Sequence, residues 1–396
     1  MPGRGPAPGR RHVIALAAGF SGLMPMATDI YLVLMPAIAR DFSASLAATH
    51  ASMAVFSLGF GCAHLFIGVL ADRFGRRPVA IAGALAFIIV TLAVVRAPSL
   101  ELLTTYRFIQ GIVIATCPIL ARAIVRDTVP PEDAAKVYAQ INAITACAPL
   151  TAPFLGAFAA GWGGWRTGMA LLLVYGVVLA AAALLYLPET RPPTPAGGPQ
   201  SRSPLSAARE ILAHPRFVYG AGVTALLYAA LFTWISTSPF LMIDDLRFTP
   251  TEVAVVLGFG SLGYMAGSLG SARLAATARS ENLIAIGAPL MLLGACGAYV
   301  ALTRATPTPA LTLLGVLPFY VGLGLTHANA LQIVMRPFPH MAGQASAWLG
   351  VMQQIGGVAV SVLAVRAGAG LTAVVVMILS CMALTALAVW GVRRRG

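Results

Sequence analysis

Charge is scarce in this chain. Only 10% of its 396 residues are Asp, Glu, Lys or Arg, and a single lysine, Lys136, stands against 25 arginines. Cysteine chemistry is also thin: Cys62, Cys117, Cys147, Cys296 and Cys381 all fall inside apolar runs and none belongs to a C-x-x-C pair. Neither a disulfide framework nor a zinc site is indicated, so no metal ligands are expected. No H-E-x-x-H and no Walker sequence occurs, which leaves metal-dependent hydrolysis and ATP hydrolysis without a motif. His50, His64 and His327 stand isolated in the sequence. Gly258-Phe-Gly260-Ser-Leu-Gly263 matches G-x-G-x-x-G, but it lies in an apolar run with no strand before it. It reads as close helix packing rather than dinucleotide binding.

Apolar residues are abundant instead. They make up 58% of the chain, against ~45–50% in soluble proteins, and the mean hydropathy is +0.84. The excess is gathered into runs of about 20 residues, the length a helix needs to cross a ~30 Å hydrocarbon core. Twelve such spans are predicted, at 13–37, 47–70, 78–95, 99–121, 136–160, 167–187, 215–240, 252–275, 282–302, 309–331, 343–365 and 370–391. The fold class expected is an all-α, multi-pass membrane protein, and the basic start followed by a long apolar run reads as an uncleaved first span. The net charge of +13 would suggest nucleic acid in a soluble protein; here its placement carries the information. With the amino terminus inside, only Arg40, Arg96, Arg166, Arg247, Arg304 and Arg366 fall in outer loops, Arg107 falls within a span, and the other nineteen of the 26 basic residues fall on the inner side. The positive-inside rule then puts both termini in the cytoplasm.

One polar interruption divides the spans. Pro188 to Pro204 is rich in Pro and Gly, which forbids continuous helix and marks a linker. Six spans lie on each side, so the expected organisation is a six-helix half at 1–187, a cytoplasmic linker at 188–213 and a second six-helix half at 214–396. Leu205 to Ala213, with Arg209 and Glu210 on a polar face, is expected to form a short interfacial helix.

The most charge-dense hairpin is Gly68-Val-Leu-Ala-Asp72-Arg73-Phe-Gly75-Arg76-Arg77, wedged between two apolar runs. Arg122 ends the fourth span nearby, and an Asp72–Arg122 contact would tie the second and fourth helices in one conformational state. Ordinary inner-side positive charge is the alternative reading. The hairpin resembles the G-x-L-a-D-R-x-G-R-R signature of the major facilitator superfamily, in the loop after the second helix. That resemblance implies two six-helix halves around a central cavity open alternately to each side.

Asp29 is the costliest residue to bury: a carboxylate near the centre of a bilayer costs roughly 2.5–3.5 kcal/mol on insertion scales. Arg107, in the fourth span, is placed at a similar depth, about 12 Å below the same surface, and is its expected partner. A purely structural ion pair, or an Asp reaching the outer surface, are the alternatives. Ala27-Thr28-Asp29-Ile30-Tyr31-Leu32 resembles the D-x-Y-L-P element of the Bcr/CflA-type drug exporters, with Val33 in place of Pro. Leu103-Thr-Thr-Tyr-Arg107-Phe-Ile-Gln110-Gly111 is similar to the superfamily's L-x-x-x-R-x-x-Q-G element, which implies proton coupling at Asp29 and Arg107. Pro149, Pro153 and Gly156 resemble the antiporter bend of the fifth helix, although three of its usual glycines are Ala here. Segments around Trp234 and around Gln353-Gln354 also resemble Bcr/CflA exporters. Tyr31, Gln110, Tyr228, Trp234, Tyr264, Gln353 and Gln354 are the candidate cavity residues.

The resemblance implies proton-coupled efflux of small amphiphilic drugs, phenicol-type antibiotics among them, across a bacterial inner membrane. The chain would not be an enzyme and would need no cofactor beyond the proton as coupling ion. Its expected partners are the drug, protons and lipid, with no nucleic acid, and it is expected to act as a monomer. A proton-coupled transporter of a small metabolite, or a sensor or scaffold that moves nothing, remain as alternatives.

Overall fold

The computed structural model describes residues 10–130, 137, 140, 141, 144, 145, 147–191, 204–274, 277–338, 341–367 and 371–393. Residues 131–136 and 192–203, which hold the predicted start of the fifth span and most of the linker, lie outside them. Among the described residues the chain is helical throughout, with no strand. The helices are α1 (Arg10–Asp41), α2 (Leu46–Ala63), α3 (Ile67–Phe74), α4 (Arg76–Val95), α5 (Leu100–Ile114), α6 (Thr116–Thr128) and α7 (Cys147–Tyr186). After the linker come α8 (Pro204–Ala213), α9 (Pro215–Phe240), α10 (Pro250–Leu274), α11 (Ser280–Leu302), α12 (Pro309–Met335), α13 (Ala342–Ala367) and α14 (Leu371–Arg393).

Local chemistry sets the helix starts. Ser45 and Ser99 accept from the backbone N–H of Ala48 (3.2 Å) and Leu102 (3.4 Å), which caps α2 and α5. His214 and Thr308 do the same for α9 and α12, each followed by a proline at the first helical position, where no N–H is needed.

Ten helices among the described residues are long and apolar enough to cross a membrane. One of them, α7, runs 40 residues, about 60 Å, twice the hydrocarbon thickness. It makes two passes, reversing at Gly163-Gly164, where Gly164 has φ 72°, a left-handed conformation that L side chains rarely adopt. The final pass is α14, so the chain crosses twelve times. Two predicted spans are broken. The second stops at Ala63 and turns through tight bonds from His64 to Gly61 and from Phe66 to Ala63 before α3 begins. The fourth breaks at Ala115 into α5 and α6, just before Pro118, which has no N–H to return to the carbonyl of Ile114. The predicted linker helix is present as α8.

Two hydrophobic cores follow from the packing. In the first half α1 lies against α6 and α7, α2 against α5, and α4 against α5 and α7. In the second, α12 lies against α9, α10 and α11, while α14 lies against α9 and α11. The halves meet along α7 with α10, α2 with α13, and α1 with α9. Val33 of α1 enters the second core, and Phe232, Phe240 and Val358 enter the first. Large apolar side chains such as Ile89, Leu185 and Leu314 are exposed on the outside of the bundle, as lipid contact requires.

The G-x-G-x-x-G run lies in α10. A Cβ on Gly258 would approach the Leu150 carbonyl of α7 to 3.0 Å, and one on Gly263 would meet Leu317 of α12 at 2.9 Å. Helix approach, rather than a phosphate loop, explains these glycines.

Candidate functional site

A cavity of about 470 Å³ lies between the halves. Its lining residues lie toward the α3–α4 hairpin end of α2, α6, α7, α12 and α13 and about midway along α1, α9 and α10. Asp29 of α1 is the one carboxylate among them. It shares a face with Pro25, Thr28 and Leu32, at helical spacing, and that face looks into the cavity.

Arg107 does not pair with Asp29. Tyr31 is two residues on from Asp29, about 200° around the helix, so it points away from the cavity into the first core. Arg107 joins it there. Its guanidinium carbon lies 4.0 Å from the Tyr31 ring centre and 3.9 Å from that of Phe56. Nη1 donates to Gln110 Oε1 (2.6 Å) and Nη2 contacts Met53 Sδ (3.4 Å), while Gln110 Nε2 donates to Thr91 Oγ1 (2.7 Å). The Tyr31 hydroxyl donates to Ser52 Oγ, whose own proton goes to the Thr49 carbonyl. Tyr31 and Gln110, expected in the cavity, therefore belong to the housing of a buried cation. Two aromatic faces take the place of a carboxylate, a contribution of about 2 kcal/mol when water is excluded.

Tyr228, Tyr264, Gln353 and Gln354 line the cavity as expected, with Pro149 and Pro153 opposite. Gly156 lies deeper, where a Cβ would come within 3.3 Å of Ile30 Cα and push α7 off α1. Trp234 does not line the cavity. It is 1% exposed in the second core and donates from Nε1 to the hydroxyl of Tyr320 (3.2 Å), and Tyr320 forms the wall in front of it. Residues that the sequence left isolated meet here. His64 just past α2, Arg122 of α6 and His327 of α12 all reach the cavity. The hydroxyl of Tyr264 lies 3.1 Å from His327 Nδ1. Two single histidines in distant parts of the chain gave no spacing pattern, so only packing could reveal them.

The charged hairpin forms a network at the face nearest the cavity. Asp72 pairs with Arg76 (2.6 Å), four residues on across the Gly75 corner, rather than with Arg122. Arg76 in turn gives Nε to Asp127 of α6 (2.9 Å), so Asp127 is the residue that ties the fourth span to the hairpin. Arg122 donates to the Pro118 carbonyl on its own helix and faces the cavity. Gly75, at φ 100°, makes the corner between α3 and α4, and a Cβ there would strike the Glu189 carboxylate. Glu189, just past α7, accepts from the N–H of Arg76 (2.8 Å) and Arg77 (3.3 Å) and so caps α4 from another segment. Arg191 donates to the carbonyls of Asp72 and Arg73, and Arg77 to that of Leu184. Arg73 lies over the Phe74 ring on the exposed side. A Cβ on Gly68 would meet nothing within 4 Å, so this glycine has no packing role in the arrangement.

The opposite end of the bundle is closed. Arg40 of α1 bonds Asp244, in the π-helical turn Leu241–Asp245 after α9, at 3.0 Å. His50 of α2 lies 2.9 Å from Ser236 Oγ of α9. The Ser236 proton goes to the Phe232 carbonyl (2.6 Å), so His50 Nε2–H is the donor between the halves.

Known proteins are similar to this chain in sequence or in fold. Multidrug resistance protein MdtL of Klebsiella pneumoniae subsp. pneumoniae is 33% identical over 334 residues, 84% of this chain and 83% of that one. MdtL of Salmonella typhi is 32% identical over the same shares. Among solved structures, a D-xylose-proton symporter matches with a TM-score of 0.75 at 16% identity, covering 94% of this chain and 97% of that one. A partially occluded, inward-open form of the xylose transporter XylE from E. coli matches at 0.71 and 17% identity, over 94% and 96%. At those identities the structural likeness concerns the fold alone. The family profile described as Major Facilitator Superfamily matches residues 17–361, from the first span into the eleventh. Twelve passes in two halves around one cavity, together with that match over most of the sequence, mean that this chain belongs to the Major Facilitator Superfamily.

Proposed function

We propose that this membrane transporter exports small amphiphilic drugs from the cytoplasm of a bacterium in exchange for protons, by alternating access across the inner membrane. The observation that carries the reading is Asp29: a lone carboxylate, facing a cavity whose other walls are mainly apolar and aromatic. Such walls suit an amphiphile better than a polyhydroxylated sugar. The name of the MdtL relatives supports the same substrate class.

With both termini in the cytoplasm, as the arginine distribution implies, the cavity faces inward and the Arg40–Asp244 end is the closed outer gate. Asp29 exchanges its proton for drug. Arg107 acts indirectly, by fixing Tyr31 and hence the register of α1. The Asp72–Arg76–Asp127 network holds one of the two alternating states and breaks in the other. A single chain encloses the cavity, which supports action as a monomer.

Expression in a pump-deficient bacterium tests the reading. Tolerance to at least one neutral or cationic hydrophobic antibiotic is expected to rise, and an uncoupler to abolish it. Asp29→Asn is expected to express normally and to lose tolerance to a cationic antibiotic. Vesicles that move no drug across a broad panel, yet accumulate a sugar or amino acid with protons, would overturn it.

A further inference from the structure

The cavity holds a second group able to carry a proton, on α12 of the second half. His327 projects from α12, bonded through Nδ1 to the Tyr264 hydroxyl; among the described residues Nε2 has no hydrogen-bond partner, and the ring is half-buried against the cavity. Its surroundings contain few charges. Of the helices packed on α12, α10 presents Tyr264 and α9 presents Tyr228, whereas α11 and α13 present no titratable side chain to the cavity. Tyr320 lies on α12 itself, and Asp29 faces it from α1, His64 from just past α2 and Arg122 from α6.

We infer that His327 is the group through which this transporter couples uncharged amphiphiles to protons, whereas Asp29 couples cationic ones. The inference rests on the export reading above. Its physical basis is a difference in sign. A neutral drug that fills the cavity displaces water, and loss of water favours the neutral form of an ionisable group. For a carboxylic acid that form keeps the proton. For an imidazole it is the form that has lost one.

A neutral drug therefore has no means of driving a proton from Asp29, but it does expel one from the imidazolium of His327 into the water of the open face. The phenols, with ordinary values near ~10, and the guanidinium of Arg122 do not exchange protons near neutrality. His64 lines the same cavity and is the control in the test below. A cationic drug acts on both groups in one direction: it attracts the Asp29 carboxylate and repels an imidazolium. After the cavity inverts and the drug leaves, each vacated site takes a proton from the outer side, so protons move inward as drug moves outward.

Drug-induced proton release from purified transporter, in weak buffer at about pH 5, well below the ordinary imidazole value, reads this out. Chloramphenicol is the neutral probe and tetraphenylphosphonium the cation. Wild type is expected to release protons with both. His327→Gln is expected to lose release with chloramphenicol and keep a reduced release with the cation; Asp29→Asn is expected to show the reverse preference. Equal chloramphenicol-linked release from His327→Gln and wild type overturns the inference, as does release that vanishes in His64→Gln but persists in His327→Gln.

Should His327→Gln fail to bind drug, histidine-selective ¹⁵N spectra of the wild type report the same step. The His327 signal, identified by its displacement in Tyr264→Phe, is expected to change from imidazolium to neutral imidazole on adding chloramphenicol. An unchanged signal overturns the inference. A wild type that moves no drug at all overturns the export reading too, whereas drug export without involvement of His327 overturns the inference alone.

Discussion

Arg107 and Tyr31 stack within the first half, guanidinium carbon to ring centre at 4.0 Å, and no carboxylate among the described residues forms an ion pair with Arg107. The cation is held by π faces and by Gln110, on the side of α1 that Asp29 does not share. Tyr31→Leu is therefore expected to lower stability by about 2 kcal/mol, and Tyr31→Phe, which loses only the bond to Ser52, by about 1 kcal/mol. Thermal unfolding in detergent checks the order. Arg107→Gln is expected to leave the pH midpoint of drug binding in place, because the cation is not against Asp29; a displaced midpoint would show that the two residues meet in another state.

The two carboxylates on Arg76 are not equivalent. Asp127 is 4% exposed and Asp72 68% exposed, while Arg76 itself is 4% exposed. Asp127→Asn is expected to cost about 1.5–3 kcal/mol, the range for a hydrogen bond to a charged group, and Asp72→Asn about 0–1 kcal/mol. Both are expected to widen the cytoplasmic opening, Asp127→Asn more. Spin-label distances between residues 70 and 336 measure that opening, and equal effects would deny Asp127 its role.

Glu189 links the end of the first half to the hairpin. Partial burial raises its proton affinity, but the N–H donors of Arg191, Arg76 and Arg77 and the charge of Arg191 outweigh this and hold it below the ordinary carboxylate range. Its contribution is thus fully present above the unfolded value near ~4.3 and is lost as pH falls through the lower folded value. The group is exposed, so the contribution is a few tenths to about 1 kcal/mol. Glu189→Gln is expected to unfold earlier than wild type at pH 7, and the gap to close below about pH 4. A constant gap across that range would mean the charge is irrelevant.

Arg40 and Asp244 close the outer end through an exposed pair, worth about 0–1 kcal/mol. Removing it is expected to shift the balance between outward-open and inward-open forms by no more than about fivefold. Cross-linking between cysteines placed in α1 and α9 near that end reads the balance. The charge-reversed pair Arg40→Asp with Asp244→Arg is expected to restore it, and failure to do so would assign closure to the His50–Ser236 bond and the surrounding packing.

The linear order of residues determined the membrane class, the twelve passes and the division into halves, because each depends on run length and composition within one segment. It also marked Asp29 and the Gly68–Arg77 hairpin, since charge is rare enough in this chain to stand out. Only the tertiary structure decided partners. Asp29 and Arg107 match in depth, but their directions are set by helix rotation, which sends Tyr31 to the arginine and Asp29 to the cavity. Asp72 turned to Arg76, four residues on across the Gly75 corner, and Asp127, five residues past the expected Arg122, became the tie between α6 and the hairpin. Trp234 lay behind Tyr320, and His64 and His327 met in one cavity from opposite halves. Depth and composition are properties of a segment; facing and pairing depend on how each helix is rotated against its neighbours, and that is fixed by packing across the whole bundle.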